Sequence, residues 1–493
     1  MTSRRSFLGF AAFALAAPIL AACGQSAAPA PTSAPASSGG SPAQPTTAPA
    51  AAPTTAPAAA PTTAPAAGAA ATTAPAAAKP ATGANAVTLE VWAHWDQGVD
   101  WITNAMKNYN FPNSNITIKK VVYPIAEVHA KMLAAISSGQ GVPDIMRIEQ
   151  GRFSPFIKGQ TIGLMDLTDK IGAKKNDLVL GSAVDYWSWK GKIYGIGNEL
   201  NVVTLAYRKD MFDDVGAKTP FESWKDFEDA GAVLKQKKNV FATSWHDQSE
   251  GDFQNLTFAA GGKYLDENGD FAGATDVGVD IMAMMHDQIH KSKIATVAPV
   301  TGDSTWAPPI FWAAYKEDKI ASTMGAPWHN GNMGRDVQIG PSQSGKWRLQ
   351  RIPKGFGENK PTSTQGGTSV SIPTKAPHPD EAWQVIDFTH LTKAVLQDHE
   401  ERGILVTYKP ALADPSIKDK AWDFYGGQKT GELYIELAQD MPRIQQSPWK
   451  PEIDKAFRDI VATPILGDAN AGKNEIKAAF DKMKAEIERI KKL

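Results

Sequence analysis

Cysteine and net charge are scarce in this 493-residue sequence. The single cysteine excludes an intramolecular disulfide and any metal site built from several cysteines. The 51 basic and 52 acidic side chains nearly cancel, and no basic stretch indicates a nucleic-acid partner. The apolar run from Gly9 to Ala22 has about 14 residues, against the ~20 that a membrane-spanning helix needs. The sequence also lacks a Gly-x-Ser-x-Gly elbow, a phosphate-cradling loop and a dinucleotide fingerprint, so none of these motifs indicates a catalytic residue or a cofactor, and we predict neither.

The first 23 residues have the pattern of an export signal: a charged head, a short apolar core and small residues before a cut site. Ser3-Arg-Arg-Ser-Phe-Leu8 resembles a twin-arginine signal, although general-pathway signals also carry paired arginines. Leu20-Ala-Ala-Cys23 resembles the bacterial lipobox, in which the chain is cut before a cysteine that then carries diacylglycerol. We therefore predict a signal peptide over 1–22 and a lipid anchor on Cys23, which would hold the protein on the extracytoplasmic face of the cell membrane.

Residues 23–86 consist almost entirely of Ala, Pro, Thr, Ser and Gly, and Pro-Thr-Thr-Ala-Pro recurs at 45–49, 53–57 and 61–65. Such a segment has no large apolar side chains to bury, so folding cannot offset its loss of conformational entropy. Frequent proline favours extended backbone. The composition predicts a disordered tether that keeps the following domain away from the membrane.

Residues 87–493 read as a soluble α/β domain, and about 400 residues are too many for one ordinary core, so two lobes are expected. The pattern predicts strands at Val87–Trp92 and Ile116–Val122, and a further strand that begins at Pro143. Apolar residues at helical spacing predict helices. They are expected over about 99–110, 127–137, 222–237, 276–292, 379–397, 451–462 and 471–491.

Several stretches of this domain, in order, resemble the solute-binding proteins of ABC importers, specifically the maltodextrin- and oligosaccharide-binding (family 1) type. They include a helix, turn and strand at 134–145, Gly191-Lys-Ile-Tyr-Gly-Ile196 and Ala206-Tyr-Arg-Lys-Asp-Met-Phe212. Further along come Lys319-Ile-Ala-Ser-Thr-Met-Gly-Ala-Pro-Trp328, Gly366-Gly-Thr-Ser-Val-Ser-Ile-Pro373 and Met441-Pro-Arg-Ile-Gln-Gln-Ser-Pro-Trp449. Each stretch alone is weak, and their order and spacing carry the resemblance.

The resemblance implies the α/β fold of periplasmic binding proteins: two α/β lobes joined by crossing strands that act as hinges, with the ligand held in the cleft between the lobes. It assigns 87–202 and 368–430 to the first lobe, and 203–366 and 440–493 to the second. It also implies a monomeric receptor whose partners are a small solute, a sugar or an oligosaccharide, and the transmembrane subunits of an ABC permease.

A sugar presents an apolar ring face and a rim of hydroxyl groups, so its site needs flat aromatic rings and side chains that make paired hydrogen bonds. By resemblance, stacking falls to Trp328 and Trp449, polar contacts to the loop after the first strand, and hinge geometry to the glycine pair of the second crossing. The full set of expected ligand-binding and hinge residues is Trp328, Trp449, Trp95, Asp96, Gln97, Glu149, Gln150, Asn201, Trp245, Gly366 and Gly367. The alternative for each tryptophan is packing in a lobe core, which we favour for Trp187, Trp189 and Trp306.

Two departures from the family pattern leave the ligand open. Gly251-Asp-Phe253 replaces a usual aromatic position, so stacking there is expected to shift to Phe253, and Arg208 stands where asparagine is usual. His286 and His290 have the i, i+4 spacing of a zinc-binding helix, but the glutamate and a third ligand are lacking, so no metal is expected. A surface-anchored carbohydrate-active enzyme and a sensory lipoprotein remain the alternatives to a receptor, because a glycosidase carboxylate pair is defined by its separation in space.

Overall fold

The first lobe is built on a mixed five-stranded sheet. The computed structural model describes residues 86–298, 309–336 and 338–492, so the predicted signal, tether, Cys23 and Trp306 lie outside the described residues. The strands of the chain are β1 Val87–Ala93, β2 Ile116–Val122, β3 Ile145–Glu149, β4 Ser188–Trp189, β5 Lys192–Ile193, β6 Ile196–Gly197, β7 Thr204–Arg208, β8 Thr243–Trp245, β9 Ala295–Val297, β10 Ser322–Gly325, β11 Trp347–Gln350 and β12 Thr368–Ser371. The sheet order is β2-β1-β3-β12-β6, and only β12 runs antiparallel to its two neighbours.

The second lobe contains two smaller sheets. Strands β10, β7 and β11 pair antiparallel in that order, and β8 pairs in parallel with β9. An isolated bridge between Phe241 and Ile320 places the β8–β9 pair beside β10. The central strand β7 is buried along its whole length, as expected for a strand covered on both faces.

Helices pack around the sheets of both lobes. Their bounds are α1 Gln97–Asn108, α2 Ile125–Ser138, α3 Thr168–Ile171, α4 Leu180–Ala183, α5 Lys209–Asp214, α6 Trp224–Lys238, α7 Gly251–Ala259, α8 Asp276–His290, α9 Pro309–Lys316, α10 Pro327–Asn330, α11 Pro379–His390, α12 Leu396–Arg402, α13 Lys409–Leu412, α14 Pro415–Lys418, α15 Thr430–Leu437, α16 Lys450–Ala456, α17 Thr463–Gly467 and α18 Lys473–Lys491. Among the described residues, no helix combines the length and apolar character that crossing a bilayer requires.

The chain passes from the first lobe to the second between β6 and β7 and returns at β12. The first crossing is fixed by Asn201, whose backbone N–H donates to Ser182 Oγ over 2.9 Å. The second is fixed by Val203, whose backbone N–H donates to the carbonyl of Ser363 over 3.1 Å. The two crossings therefore lie side by side, which is the arrangement that a hinge between lobes requires.

A last segment of the chain contacts both lobes again. Gln428 exchanges side-chain hydrogen bonds of 2.9 and 2.8 Å with the backbone of Leu349 in β11, and the Tyr425 hydroxyl donates to the carbonyl of Asn330 over 2.7 Å. Residues 425–428 therefore contact the second lobe, and the assignment of 368–430 to the first lobe, which the resemblance implies, stays a prediction. Arg443 then ion-pairs with Asp185 of the first lobe at 2.6 Å.

Candidate ligand-binding site

A cavity of about 410 Å³ lies between the lobes and has the size of a small-ligand site. The first sheet and the residues around it supply one wall, and the segment that follows β10 supplies the other. The lining residues are His94, Trp95, Gln97, Glu149, Glu199, Trp328, Asn332, Arg335, Gly366, Gly367, Thr368, Arg402 and Ile404.

The sheet order explains why residues distant in sequence meet at this cavity. Strands β1 and β3 are parallel, so their carboxyl ends share one edge of the sheet, and Trp95 and Glu149 come at or just after those ends. Strand β12 is antiparallel and starts at the same edge, where Thr368 lies opposite Glu149. Gln97 opens α1 at that edge, which brings four side chains together.

Trp328 comes from the second lobe, in the short helix α10, and reaches the crossing backbone. Its indole Nε1–H donates to the carbonyl of Gln365 over 3.0 Å, and Asn332 Nδ2 donates to the carbonyl of Trp328 over 2.7 Å. Gly366 has a φ of +77°, and a Cβ at that position would lie 2.9 Å from Trp328 Nε1. Glycine therefore allows the indole to lie against the hinge.

Trp95 is half-buried, and charged groups from the first lobe lie over its ring. The guanidinium carbons of Arg147 and Arg402 are 5.0 and 5.4 Å from the ring centroid, within the range of a cation–π contact. The ring of His94 lies 4.0 Å away, edge to face. A Cβ at Gly98 would approach the indole to 2.7 Å, so the start of α1 also depends on glycine.

Arg402 is held by two carboxylates at the floor of the cavity. Its Nε and NH2 donate to Asp398, and its NH2 lies 3.6 Å from Glu199 Oε1. Asn198 also donates to Asp398. Burial opposes the charged form of Arg402, but Asp398 and Glu199 raise its pKa above the usual value.

Burial shifts the other titratable groups of this region in the direction of their neutral forms. It raises the pKa of Glu149 and of Glu199, and with the charges of Arg147 and His129 it lowers the pKa of His94 to about 2. Burial and the nearby Arg402 lower the pKa of Arg147 to about 10. The cavity thus offers carboxyl, imidazole and guanidinium groups that can donate or accept hydrogen bonds.

Six of the sequence-predicted residues line the cavity: Trp95, Gln97, Glu149, Trp328, Gly366 and Gly367. Three others lie next to it without lining it. Asp96 is exposed and pairs with Lys120 at 3.0 Å, and Gln150 donates its backbone N–H to the carbonyl of Gly367 over 3.0 Å. Asn201 is fully buried behind Gly367, where it supports the crossing.

Two predicted tryptophans have other surroundings. Trp245 is buried in the core of the second lobe, because it ends the inner strand β8, and its Nε1 donates to Gln288 over 2.9 Å. Trp449 is half-buried at the start of α16, and Lys158 covers its ring. The expected shift of stacking to Phe253 is also wrong, since that ring is buried and stacks on Phe457 at 4.8 Å.

The other residues singled out in the sequence pack against or bond to neighbouring parts of the protein. Trp187 is fully buried, as predicted. Arg208 is buried and pairs with Asp210 at 2.7 Å. His286 and His290 lie against the backbone carbonyls of Asp468 and Leu466 at 3.0 and 2.9 Å, and no group of three metal-ligating side chains occurs in the part of the chain that the structure describes.

The sequence reasoning missed seven lining residues: His94, Glu199, Asn332, Arg335, Thr368, Arg402 and Ile404. Glu199 and Thr368 carried a usable signal, because Glu199 stands two residues before the predicted ligand-binding residue Asn201 and Thr368 follows the predicted hinge residue Gly367. Arg402 carried none. It ends α12, and only the tertiary fold brings that helix end under Trp95.

The model of the bacterial extracellular solute-binding proteins matches residues 104–421, which is well over half of the chain. The chain belongs to this family. The family consists of extracellular solute-binding proteins, and a solute can bind in the cavity between the two lobes.

Similar proteins of known ligand extend over most of the domain. An arabinooligosaccharide-binding protein of Halalkalibacterium halodurans is 24% identical over 393 residues, which are 77% of this chain and 85% of that protein. A lactose-binding protein of Rhizobium radiobacter is 25% identical and covers 76% of this chain and 88% of its own length. The solved structure of a cyclic alpha-maltosyl-1,6-maltose binding protein from Arthrobacter globiformis has a TM-score of 0.66 at 18% identity and covers 82% of this chain and 100% of that one. This likeness confirms the two-lobe α/β fold.

Proposed function

We propose that this protein captures a sugar or oligosaccharide between its lobes and delivers it to an ABC permease without transforming it. The observation that carries the proposal is the cavity itself, which Trp95 and Trp328 line together with carboxyl, amide and guanidinium side chains. Aromatic rings stack on sugar faces and the polar groups bind hydroxyls. The names of the similar arabinooligosaccharide- and lactose-binding proteins support the same ligand class.

The mechanism follows from the position of the site between two lobes. A ligand that touches Trp95 on one lobe and Trp328 on the other gains both sets of contacts only when the lobes are close together. It therefore shifts the population toward the closed form in proportion to its preference for that form. The permease then distinguishes loaded from empty receptor by this shape.

Calorimetric titration with arabino-oligosaccharides, lactose and malto-oligosaccharides tests the proposal. We expect saturable binding with one ligand per chain, and unchanged sugar when the mixture is later separated by chromatography. Hydrolysis products would favour the carbohydrate-active enzyme, for which Glu149 and Glu199 would be the carboxyl pair to examine. Absence of binding across the panel would contradict the sugar assignment.

We also propose that lipid on Cys23 anchors the receptor to the membrane. The support is the lipobox resemblance at the only cysteine of the sequence. Cells that make the Cys23→Ala variant should release the protein into the soluble fraction, whereas the unmodified chain should stay with membranes and incorporate labelled palmitate. Membrane association that survives Cys23→Ala would contradict the anchor.

A further inference from the structure

Arg335 is a cation on the second-lobe wall of the cavity, and its side chain has no partner. The exposed side chain lines the cavity, and in the part of the chain that the structure describes it makes no ion pair and no hydrogen bond. Its backbone is held on both sides. The N–H of Arg335 donates to the carbonyl of Asn332 over 2.9 Å, and its own carbonyl accepts from the N–H of Gln338 over 2.9 Å. The guanidinium group is therefore carried on a fixed turn and is free to bind a ligand.

The other arginine that lines the cavity, Arg402, already has counter-charges. Its Nε and NH2 donate to Asp398, and its NH2 lies 3.6 Å from Glu199 Oε1. Arg147 is fully buried in the same region, where burial lowers its pKa and the charges of Glu199 and Asp398 oppose that shift. Two guanidinium groups and two carboxylates thus balance at the floor of the cavity. Arg335 lies outside this balance.

The remaining titratable groups that line the cavity do not supply a counter-charge to Arg335. Glu149 forms no ion pair within the described residues, and burial raises its pKa against the opposing charges of Arg152 and Lys450. Burial also lowers the pKa of His94 to about 2, so its imidazole is neutral. A carboxyl group shifted toward its neutral form repels an anionic ligand less than an exposed carboxylate does. The cavity therefore accepts one negative charge at Arg335.

We propose that Arg335 is a specificity-determining residue that binds the carboxylate of a uronic acid unit, so that the preferred ligand is an acidic oligosaccharide. The proposal rests on the proposed sugar-binding function and names its ligand class. The planar guanidinium group matches a carboxylate through two parallel hydrogen bonds, and such charged bonds are about twice as strong as those to a neutral hydroxyl. A phosphate ester carries about −1.5 to −2 charges at pH 7, more than the single cation of Arg335 compensates.

The position of Arg335 links this preference to lobe closure. Arg335 belongs to the second lobe, whereas Glu149 and Arg402 line the cavity from the first. A ligand whose carboxylate binds Arg335 while its other unit contacts the first lobe holds the lobes together. Because Arg335 is exposed, solvent and salt screen the pair. The acidic ligand should therefore bind about 10-fold more tightly than its neutral counterpart, which is the low end for hydrogen bonds to charged groups.

Calorimetry on the full chain with matched pairs of sugars tests the proposal. The pairs are cellobiouronic acid with cellobiose and glucuronosyl-xylose with glucosyl-xylose, in which a carboxylate replaces one hydroxymethyl group. We expect the acidic member to bind about 10-fold more tightly, and this ratio to fall as salt is raised from about 20 to about 500 mM. Arg335→Gln should reduce the ratio to about 1–2, and Arg335→Lys, which keeps the charge but not the paired hydrogen bonds, should give an intermediate ratio.

Matched controls separate carboxylate recognition from general charge effects. Arg351→Gln removes an exposed arginine that pairs with Glu436 and does not line this cavity, so the ratio should stay unchanged. Tighter binding of cellobiose 6′-phosphate than of cellobiouronic acid would overturn the carboxylate in favour of a phosphate ester. Equal binding within both pairs, or a ratio that survives Arg335→Gln, would overturn this proposal and leave the proposed function intact. No binding of any sugar would overturn the proposed function, and this proposal with it.

Discussion

At the scale of single residues, Trp328 lines the cavity with its indole N–H already hydrogen-bonded to the backbone. The hydrogen bond from Nε1 to Gln365 and the contact with Gly366 fix the indole before any ligand arrives. A ring that is held in place loses little conformational freedom when a sugar stacks on it. Trp328 therefore combines a large apolar surface with a small entropic penalty, which is the profile of a residue that dominates binding energy.

Replacing Trp328 with alanine should weaken the binding of the best sugar by about 10- to 100-fold, because a central stacking surface is lost. Trp328→Phe keeps an aromatic face but loses the hydrogen bond to Gln365, so its affinity should lie between those of the unmodified chain and Trp328→Ala. Trp383→Ala is the control, since Trp383 packs on the first-lobe core outside the cavity. Calorimetry gives all four dissociation constants, and an unchanged constant for Trp328→Ala would contradict its assigned role.

His94 should make the ligand-free protein sensitive to acid. Its pKa is lowered to about 2 in the folded chain, against 6.5 when unfolded, so below pH 6.5 the unfolded state binds more protons than the native state. This contribution to stability is complete above pH 6.5 and decreases as the pH falls. When the pH falls from 7 to 5, the unfolding free energy of the unmodified chain should decrease by on the order of 1–2 kcal/mol more than that of His94→Gln. Urea titrations at both pH values measure this difference.

The residues that sequence reasoning located are those that directly follow strand ends or hinge glycines, such as Trp95, Glu149 and Gly366. Their positions are set by the strand or crossing that is adjacent to them in the chain, and the sequence shows that adjacency directly. Trp245, a predicted ligand contact, is buried in the second-lobe core, whereas Arg402, which was not predicted, lines the cavity. Tertiary packing decides both positions. No local pattern distinguishes a stacking tryptophan from a core tryptophan.

At the scale of elements, the apolar periodicity located the long helices to within about two residues, as α2, α6 and α18 show. The helix expected over 379–397 is shorter than predicted. It ends at His390, and the side chain of Thr392 accepts a hydrogen bond from the backbone N–H of Ala394, which starts a new turn. A capping threonine within an apolar pattern thus ended a helix that periodicity alone would continue.

Helix α6 begins with a capping box that can be tested directly. Ser223 Oγ accepts from the backbone N–H of Asp226, and Asp226 accepts in return from the backbone N–H of Ser223. Ser223→Ala should lower the unfolding free energy by about 1 kcal/mol, because helix-terminal N–H groups lose their partner. Ser223→Thr keeps the oxygen and serves as the control, and sugar affinity should be unchanged in both. Equal urea midpoints for both variants would contradict the capping role.

At the scale of the whole molecule, the cleft couples binding to the separation of the lobes. Ligand contacts are divided between the first-lobe sheet edge and the segment after β10, so neither lobe alone provides the site. The stability of the closed form therefore depends on ligand concentration.

Saturation with sugar should raise the unfolding temperature and decrease the radius of gyration together. At a ligand concentration of 100 times the dissociation constant, linkage adds about 2.7 kcal/mol, which for a domain of this size is roughly 3 °C. Differential scanning calorimetry and small-angle X-ray scattering measure the two effects. Trp328→Ala at the same sugar concentration is the control, since its smaller occupancy should reduce both. Binding without any change in radius would contradict lobe closure.

The place of β12 in the first sheet has a consequence for how the chain is made. This strand lies between β3 and β6, yet it is synthesised about 220 residues after β3. At about 5–20 residues per second, the edges of β3 and β6 stay unpaired for roughly 10 to 45 seconds. Unpaired edges are sites of aggregation. The first sheet can therefore close only after residue 371 is available, and until then the edges of β3 and β6 are open to pairing with other chains.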